Sequence, residues 1–196
     1  MQIQQINKKK IQRKELLTQR RALSLAQKKR YSEIITTKVL NLPEYQKADL
    51  CFMYASMPDE FQTRELLENA LKAGKRVCLP YITNKDEKIM QATLINSLEE
   101  LVEGTYGILT VDEKNIHIVN PEMIDLVLVP AVGFDRQGYR LGMGGGYYDR
   151  YIVKATKAKL VGAIYHCQLV DKVVKDEHDI KVDILLTEQE DINIAR

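Results

Sequence analysis

Leu126-Val127-Leu128-Val129-Pro130 is followed ten residues later by Arg140-Leu141-Gly142-Met143-Gly144-Gly145-Gly146-Tyr147-Tyr148-Asp149. The first stretch is apolar throughout and shorter than a helix requires, as expected of a strand buried on both faces. The second is a glycine hinge with an arginine at one end and two tyrosines and a carboxylate at the other. Six of the ten glycines lie between Gly133 and Gly146, so backbone is being exposed at one place. Glycine lets amide N–H groups approach an anion closely, and a glycine run can open a helix whose free amides face that anion. The arrangement reads as a phosphate cradle in an α/β protein.

Neither common phosphate motif accounts for it. A Walker loop ends in Gly-Lys-Ser/Thr, whereas Gly146 is followed by Tyr147. The dinucleotide fingerprint G-x-G-x-x-G fails because Gly142 and Gly144 lead to Tyr147 where the third glycine belongs. A plain strand-to-helix turn would explain the glycines. It would require neither Arg140 nor Asp149.

Working outward, Leu50-Cys51-Phe52-Met53-Tyr54, Arg76 to Pro80, Lys88 to Ile95, Leu160 to Tyr165 and Asp183 to Leu186 read as further strands. Between them fall helical patterns. The first spans roughly Asn7 to Leu23, with Ile11, Leu16 and Leu23 among basic residues. A second is capped by Ser24, carries the stripe Ile34, Ile35, Val39 and Leu42, and ends at Pro43. Thr63 caps a third through Ala73, with Gly74 beyond its end. Ser97 to Val102 and Gly145 to Thr156 complete the set. The alternation predicts one domain over residues 1–196, a three-layer α/β fold. Its mainly parallel, Rossmann-like sheet carries helices on both faces, with an N-terminal helical extension. Ligands of such sheets bind beyond the carboxyl ends of the strands. The glycine loop follows one such end and Ala55-Ser56-Met57-Pro58-Asp59-Glu60 follows another, so the two loops are expected to share a cleft.

Composition narrows the class. The chain has 196 residues, 45% hydrophobic and 29% charged, ordinary for a globular protein able to bury a core. Cys51, Cys78 and Cys167 are odd in number and widely spaced, which favours buried thiols in a reducing, cytoplasmic setting over a disulfide framework. No apolar segment is long enough for a signal peptide or a membrane span. The net charge of +2 conceals an asymmetry: residues 1–30 hold ten Lys or Arg against Glu15, and the rest holds nineteen basic and twenty-six acidic residues. Such a basic arm suits nucleic acid, an anionic surface or a polyphosphate equally.

Arg140, with its planar fork, suits a phosphate, although Asp135 and Asp149 compete as salt-bridge partners. Asp149 stands near a helix start, where it could hold Mg²⁺ beside phosphates or simply balance the helix charge. Tyr147 and Tyr148 point to different helix faces. The acidic run Asp176-Glu177-His178-Asp179, before Lys181-Val182-Asp183, offers oxygen ligands but no zinc pattern. His117 and His166 stand apart from any triad motif and receive no catalytic role.

Val129-Pro130-Ala131-Val132-Gly133-Phe134-Asp135, taken with Arg140 to Asp149, closely resembles the signature of the 5-formyltetrahydrofolate cyclo-ligase (methenyltetrahydrofolate synthetase) family. The likeness extends to the basic opening with Lys9 and Arg13, the Ser56–Glu60 loop, and the Asp179…Asp183 close. The resemblance implies an ATP- and Mg²⁺-dependent closure of 5-formyltetrahydrofolate to 5,10-methenyltetrahydrofolate, by a cytoplasmic monomer without nucleic-acid or membrane partners. By the same resemblance, Lys9 and Arg13 contact the ATP phosphates, and their spacing of four puts both on one helix face. Arg140, Leu141, Gly142, Met143, Gly144, Gly145, Gly146, Tyr147 and Tyr148 become the nucleotide loop, with Arg140 and Tyr148 catalytic. Ala55, Glu60, Gly145, Gly146 and Tyr147 become folate contacts, and Tyr106 lines the same pocket. Asp149 becomes a metal ligand, with Asp179 or Asp183 as its companion. Met143 departs from the basic or aromatic side chain common in the family, which implies altered affinity rather than lost activity.

Overall fold

The computed structural model describes residues 2–175 and 179–194, and of 2, 3 and 106 the backbone alone. The side chain expected at Tyr106 and the acids Asp176 and Glu177 therefore lie outside the described residues.

The chain opens with α1 (Gln2–Ala22) and α2 (Leu25–Asn41). Ser24 divides them because its hydroxyl accepts from Gln27 N–H while Gln27 accepts in return from Ser24 N–H, a reciprocal cap worth about 1 kcal/mol. Pro43 ends α2 and opens α3 (Pro43–Lys47), where its fixed φ suits a first helical turn. Then follow β1 (Leu50–Phe52), α4 (Arg64–Lys72), β2 (Arg76–Asn84), β3 (Ile89–Ile95), β4 (Leu101–Glu103), β5 (Leu109–Val111), β6 (Ile118–Val119) and β7 (Leu126–Val129). The remainder is β8 (Gly133–Asp135), β9 (Arg140–Leu141), α5 (Tyr147–Ile152), β10 (Lys159–Ala163), β11 (Leu169–Val170), β12 (Ile184–Leu186) and β13 (Asp191–Asn193).

The main sheet runs β13-β12-β10-β7-β1-β2-β3-β6. Its centre, β12 to β2, is parallel throughout, and antiparallel strands close both edges. From β1 the chain moves outward to β2 on one side and later returns to β7 on the other. The order reverses there, and side chains at that switch point have no crossover packed above them.

Period-two alternation builds the layers. Cys51, Met53, Leu126 and Leu128 pack toward Ile35 and Val39 of α2 and Leu66 and Ala70 of α4. Leu50, Phe52, Val127 and Val129 pack toward Tyr151 and Ile152 of α5. Each such large apolar side chain contributes about 1.5–3 kcal/mol on burial. The three-layer, mainly parallel sheet is as the alternation of elements predicts.

The structure departs from expectation in several places. Residues 97–102 form one 3₁₀ turn and a strand instead of a helix, because Glu100 folds back onto the N–H groups of Asn96 and Ser97. Leu101 then pairs with Val111 in the β4–β5 hairpin. Thr63 precedes α4 without capping it; its hydroxyl donates to the Tyr54 carbonyl at 2.6 Å and accepts from Ser56 N–H, tying the loop after β1. The helix after the glycine loop is six residues long and gives way at Lys154 and Ala155 to tighter i→i+3 bonds. A second sheet, β11-β8-β9, takes in the chain that joins β7 to the glycine loop. Leu16 of α1 packs with Val132, Leu141 and Val173 beside it, which brings the N-terminal helix alongside the loop.

Candidate functional site

A cleft of about 1420 Å³ opens beyond the carboxyl ends of β1 and β7. The loop after β1 supplies Tyr54, Ala55 and Glu60, and the chain after β7 supplies Pro130 and Ala131. From α1 come Lys9 and Arg13, and the whole segment Arg140 to Asp149 lines the opposite wall with Asp179. Two loops and a helix distant in sequence thus meet at the switch point.

Arg13 is docked on the glycine loop: its Nε–H donates to the Gly142 carbonyl at 2.8 Å. Lys9 Nζ lies 3.1 Å from Asp179 Oδ2. Gly144 and Gly146 have φ of +99° and +68°, values that side chains other than glycine rarely adopt. A Cβ on Gly144 would meet the Arg13 guanidinium at 3.5 Å, ordinary contact, so it is the backbone angle that calls for glycine. Gly146 caps α5, and Arg150 secures the turn by donating to the Gly145 carbonyl at 2.7 Å. A six-residue helix has little dipole to offer. An anion at this loop would therefore depend on backbone amides and the flanking cations rather than on a helix end.

Arg140 is buried and its Nη2 donates to Asp149 Oδ1 at 2.5 Å. Asp135 is not its partner, since that carboxylate accepts from the N–H groups of Gln137, Tyr139 and Val173. Arg140 Nε is buried with no hydrogen-bond partner among the described residues. Its Cζ stands 5.9 Å from the centre of the Tyr148 ring, which stacks on Phe52 at 5.9 Å and 16°. The Tyr148 hydroxyl is likewise buried without a partner, and burial pushes its pKa well up, with Glu60 adding to the push and Arg140 opposing it. Two buried donors left over on one wall are the donor set an anionic or carbonyl oxygen would satisfy.

Across the cleft, Glu60 accepts from Met57 N–H at 3.0 Å and faces Arg20 Nη1 at 3.6 Å. Burial pushes its carboxyl pKa up, while the Met57 N–H and Arg20 pull it down. Asp59 goes the other way: partial burial pushes it up, but Arg20 and Arg21 hold it below the ordinary carboxylate value. Arg20, Tyr54 and Asp59 are absent from the sequence-based site. Arg20 was findable, because Lys9, Arg13, Leu16 and Arg20 repeat at intervals of four, three and four along α1.

Asp183 does not belong to the cleft. It precedes β12, at the amino ends of the parallel strands, where its carboxylate accepts from Leu160 N–H at 2.8 Å. Asp125 does the same job at that edge for the N–H groups of Asp49 and Leu50. Of the three acids expected to hold a metal, Asp149 and Asp179 line the cleft, each facing a cation. No group of three metal-ligating side chains occurs among the described residues. Cys51 and Cys78 are buried with pKa values pushed by burial to about 12, which leaves them inert.

Fold and cleft together define a doubly wound α/β enzyme with its site at a topological switch point. The model of the 5-formyltetrahydrofolate cyclo-ligase family matches residues 5–188, and the chain belongs to that family of ligases. It is 30% identical to the mouse 5-formyltetrahydrofolate cyclo-ligase over 90% of this chain and 91% of the mouse protein. Identity with the Escherichia coli K12 5-formyltetrahydrofolate cyclo-ligase is 32%, over 86% of this chain and 93% of the relative. The solved structure of Aquifex aeolicus 5,10-methenyltetrahydrofolate synthetase superposes with a TM-score of 0.85 at 33% identity, covering 96% of this chain and 93% of that one. No helix among the described residues is long and apolar enough to cross a membrane.

Proposed function

We propose that the protein closes the ring of 5-formyltetrahydrofolate to 5,10-methenyltetrahydrofolate, converting ATP to ADP and phosphate, with Mg²⁺ as the supporting ion. The observation that carries this reading is the union, in one cleft, of Lys9, Arg13, the glycine loop and Arg140 with the carboxylate of Glu60. Cations and open backbone suit a triphosphate, and a buried carboxylate suits the N–H edge of a pterin.

The formyl oxygen of an amide leaves poorly and must first be activated. It attacks the γ-phosphorus, ADP departs, and an iminium phosphate results. N10 then attacks the formyl carbon, the carbon–oxygen bond breaks, phosphate leaves and the N10 proton is lost. The demands on the protein are alignment and charge neutralisation. Lys9, Arg13 and the amides of Gly142 to Gly146 hold the phosphates. Arg140 Nε and the Tyr148 hydroxyl, buried and without partners, supply donors to the transferring group. Ala55, Glu60 and Tyr147 seat the folate. Asp149 and Asp179 would hold Mg²⁺, which when bound offsets phosphate charge; two acids beside a phosphate site fit an ion that keeps several waters.

Purified protein mixed with ATP, Mg²⁺ and 5-formyltetrahydrofolate should generate the methenyl chromophore, and omission of ATP should abolish it. Well-folded protein that binds ATP and yields no chromophore would overturn the assignment.

A further inference from the structure

Arg20 heads the set of largest fully buried side chains, at 1% exposure. It lies on the same face of α1 as Lys9 and Arg13. Its Nε and Nη2 both donate to Asp59 Oδ2, at 3.2 and 2.9 Å, and its Nη1 stands 3.6 Å from Glu60 Oε1. A guanidinium withdrawn from water in this way stabilises a fold no better than apolar packing of the same volume. Its presence is better explained by what it holds.

The backbone of the loop does not depend on it. Glu60 N–H donates to the Met57 carbonyl at 3.0 Å. The Glu60 carbonyl accepts from the Tyr165 hydroxyl at 2.7 Å and from Gln62 Nε2 at 2.6 Å. Gln62 also reaches the Met57 carbonyl at 3.0 Å. Four contacts thus fix residues 57–60 without Arg20. What Arg20 adds is contact with the two carboxylates, and of these Glu60 lines the cleft.

We propose that Arg20 is the positioning residue for Glu60, holding its carboxylate charged and aimed into the cleft so that the pocket selects a flat ring with two adjacent N–H donors on one edge. This rests on the reading that the folate ring enters beside Glu60. One carboxylate can accept two parallel N–H bonds, and a fixed orientation makes that pairing selective. Met57 N–H fastens Oε2 and Arg20 faces Oε1, so the side chain is held from two directions. The groups facing Glu60 are Arg20 from α1, its neighbour Asp59, and the hydroxyls of Tyr54 and Tyr148. Arg20 is the cation among them. Without it, burial acts on Glu60 opposed only by the Met57 N–H, the carboxyl takes up a proton more readily, and half of the acceptor pair is lost. Raising the pH restores the charge.

The test measures KM for 5-formyltetrahydrofolate and for ATP separately, with folate binding also titrated without nucleotide, for wild type, Arg20→Met and Arg20→Lys. Wild-type turnover is established first; its absence would count against the proposed activity and not against Arg20. In Arg20→Met the folate KM should rise about ten- to hundredfold. The ATP KM should stay within about twofold, and the folate defect should shrink as pH rises. Arg20→Lys keeps the charge and loses the fork, so it should show a smaller folate defect without the new pH dependence. An unchanged folate KM in either variant, or equal rises for both substrates, would overturn the proposal. Should Arg20→Met fail to fold, the Arg20→Lys comparison decides alone.

Discussion

The Nε–H of Arg13 donates to the carbonyl of Gly142 at 2.8 Å, joining the N-terminal helix to the glycine loop across 129 positions of the chain. Lys9, one turn earlier, reaches Asp179 on the same side of the cleft. Both cations line the cleft, and on the proposed function they hold the phosphates of the nucleotide. Replacing Lys9 or Arg13 with alanine removes a charged contact of about 1.5–3 kcal/mol, so the KM for ATP should rise about ten- to hundredfold. The KM for 5-formyltetrahydrofolate should change little. Steady-state kinetics with each substrate varied in turn checks this, and parallel losses would mean that α1 serves the fold instead.

Asp149 tests the metal assignment. Its side chain is 37% exposed and paired with buried Arg140, an arrangement in which an asparagine oxygen could still accept from the guanidinium. Asp149→Asn should therefore leave the protein folded, at a loss of up to about 3 kcal/mol because buried Arg140 keeps a neutral acceptor in place of a charged one. Turnover at limiting Mg²⁺ should fall steeply and recover in part at high Mg²⁺. Thermal unfolding together with a Mg²⁺ titration of the rate would show both effects, and an unaltered Mg²⁺ requirement would remove Asp149 from the ion.

Tyr148 separates packing from chemistry. Its ring stacks on Phe52, whereas its hydroxyl is buried without a partner. Tyr148→Phe keeps the stack and removes a polar group that no described residue satisfies, so the melting temperature should hold or rise slightly. If the hydroxyl donates to the reacting oxygen, kcat should drop about tenfold or more with ATP affinity unchanged. A loss of stability would show that the hydroxyl has a structural partner.

The main strands were legible because runs such as β7 and β1 are short and apolar with no competing period. The cleft was legible because the Ser56–Glu60 loop and the glycine loop both come after the carboxyl ends of such runs. The second sheet was not. β8, β9 and β11 are two or three residues each, too short to show alternation, and β11 joins β8 from more than thirty positions away. The β4–β5 hairpin was missed because Ser97 and Glu100 form a capping box that in sequence announces a helix and here closes a single turn. Asp179 and Asp183 look equivalent on paper. They are separated by the direction of β12, which puts Asp183 at the far edge of the sheet. Arg20 was passed over because its charge looks like that of the solvated cations beside it, although its spacing from Arg13 and Leu16 puts it on their face of α1.

Asp59 gives a prediction in pH. Partial burial raises its pKa, yet Arg20, with Arg21 assisting, lowers it further than burial raises it. A carboxylate whose pKa is depressed on folding contributes stability that is complete above its unfolded value of about 3.9. That contribution is lost as pH falls through the lower folded value. Glu60, raised by burial, acts in the opposite sense, because the folded protein holds its proton more firmly than the unfolded chain. Its unfavourable contribution is absent in acid and grows as pH rises through the unfolded value of about 4.3. Between roughly pH 5 and 3 the two slopes partly cancel in the wild type. Asp59→Asn leaves only the Glu60 slope, so the variant should lose less stability on acidification than the wild type does. At neutral pH it should be less stable by up to about 3 kcal/mol, because Arg20 keeps Glu60 but loses its two-bond partner. Denaturant unfolding at several pH values measures both quantities. Parallel pH curves for the two proteins would show that Asp59 has no charge-dependent hold on Arg20.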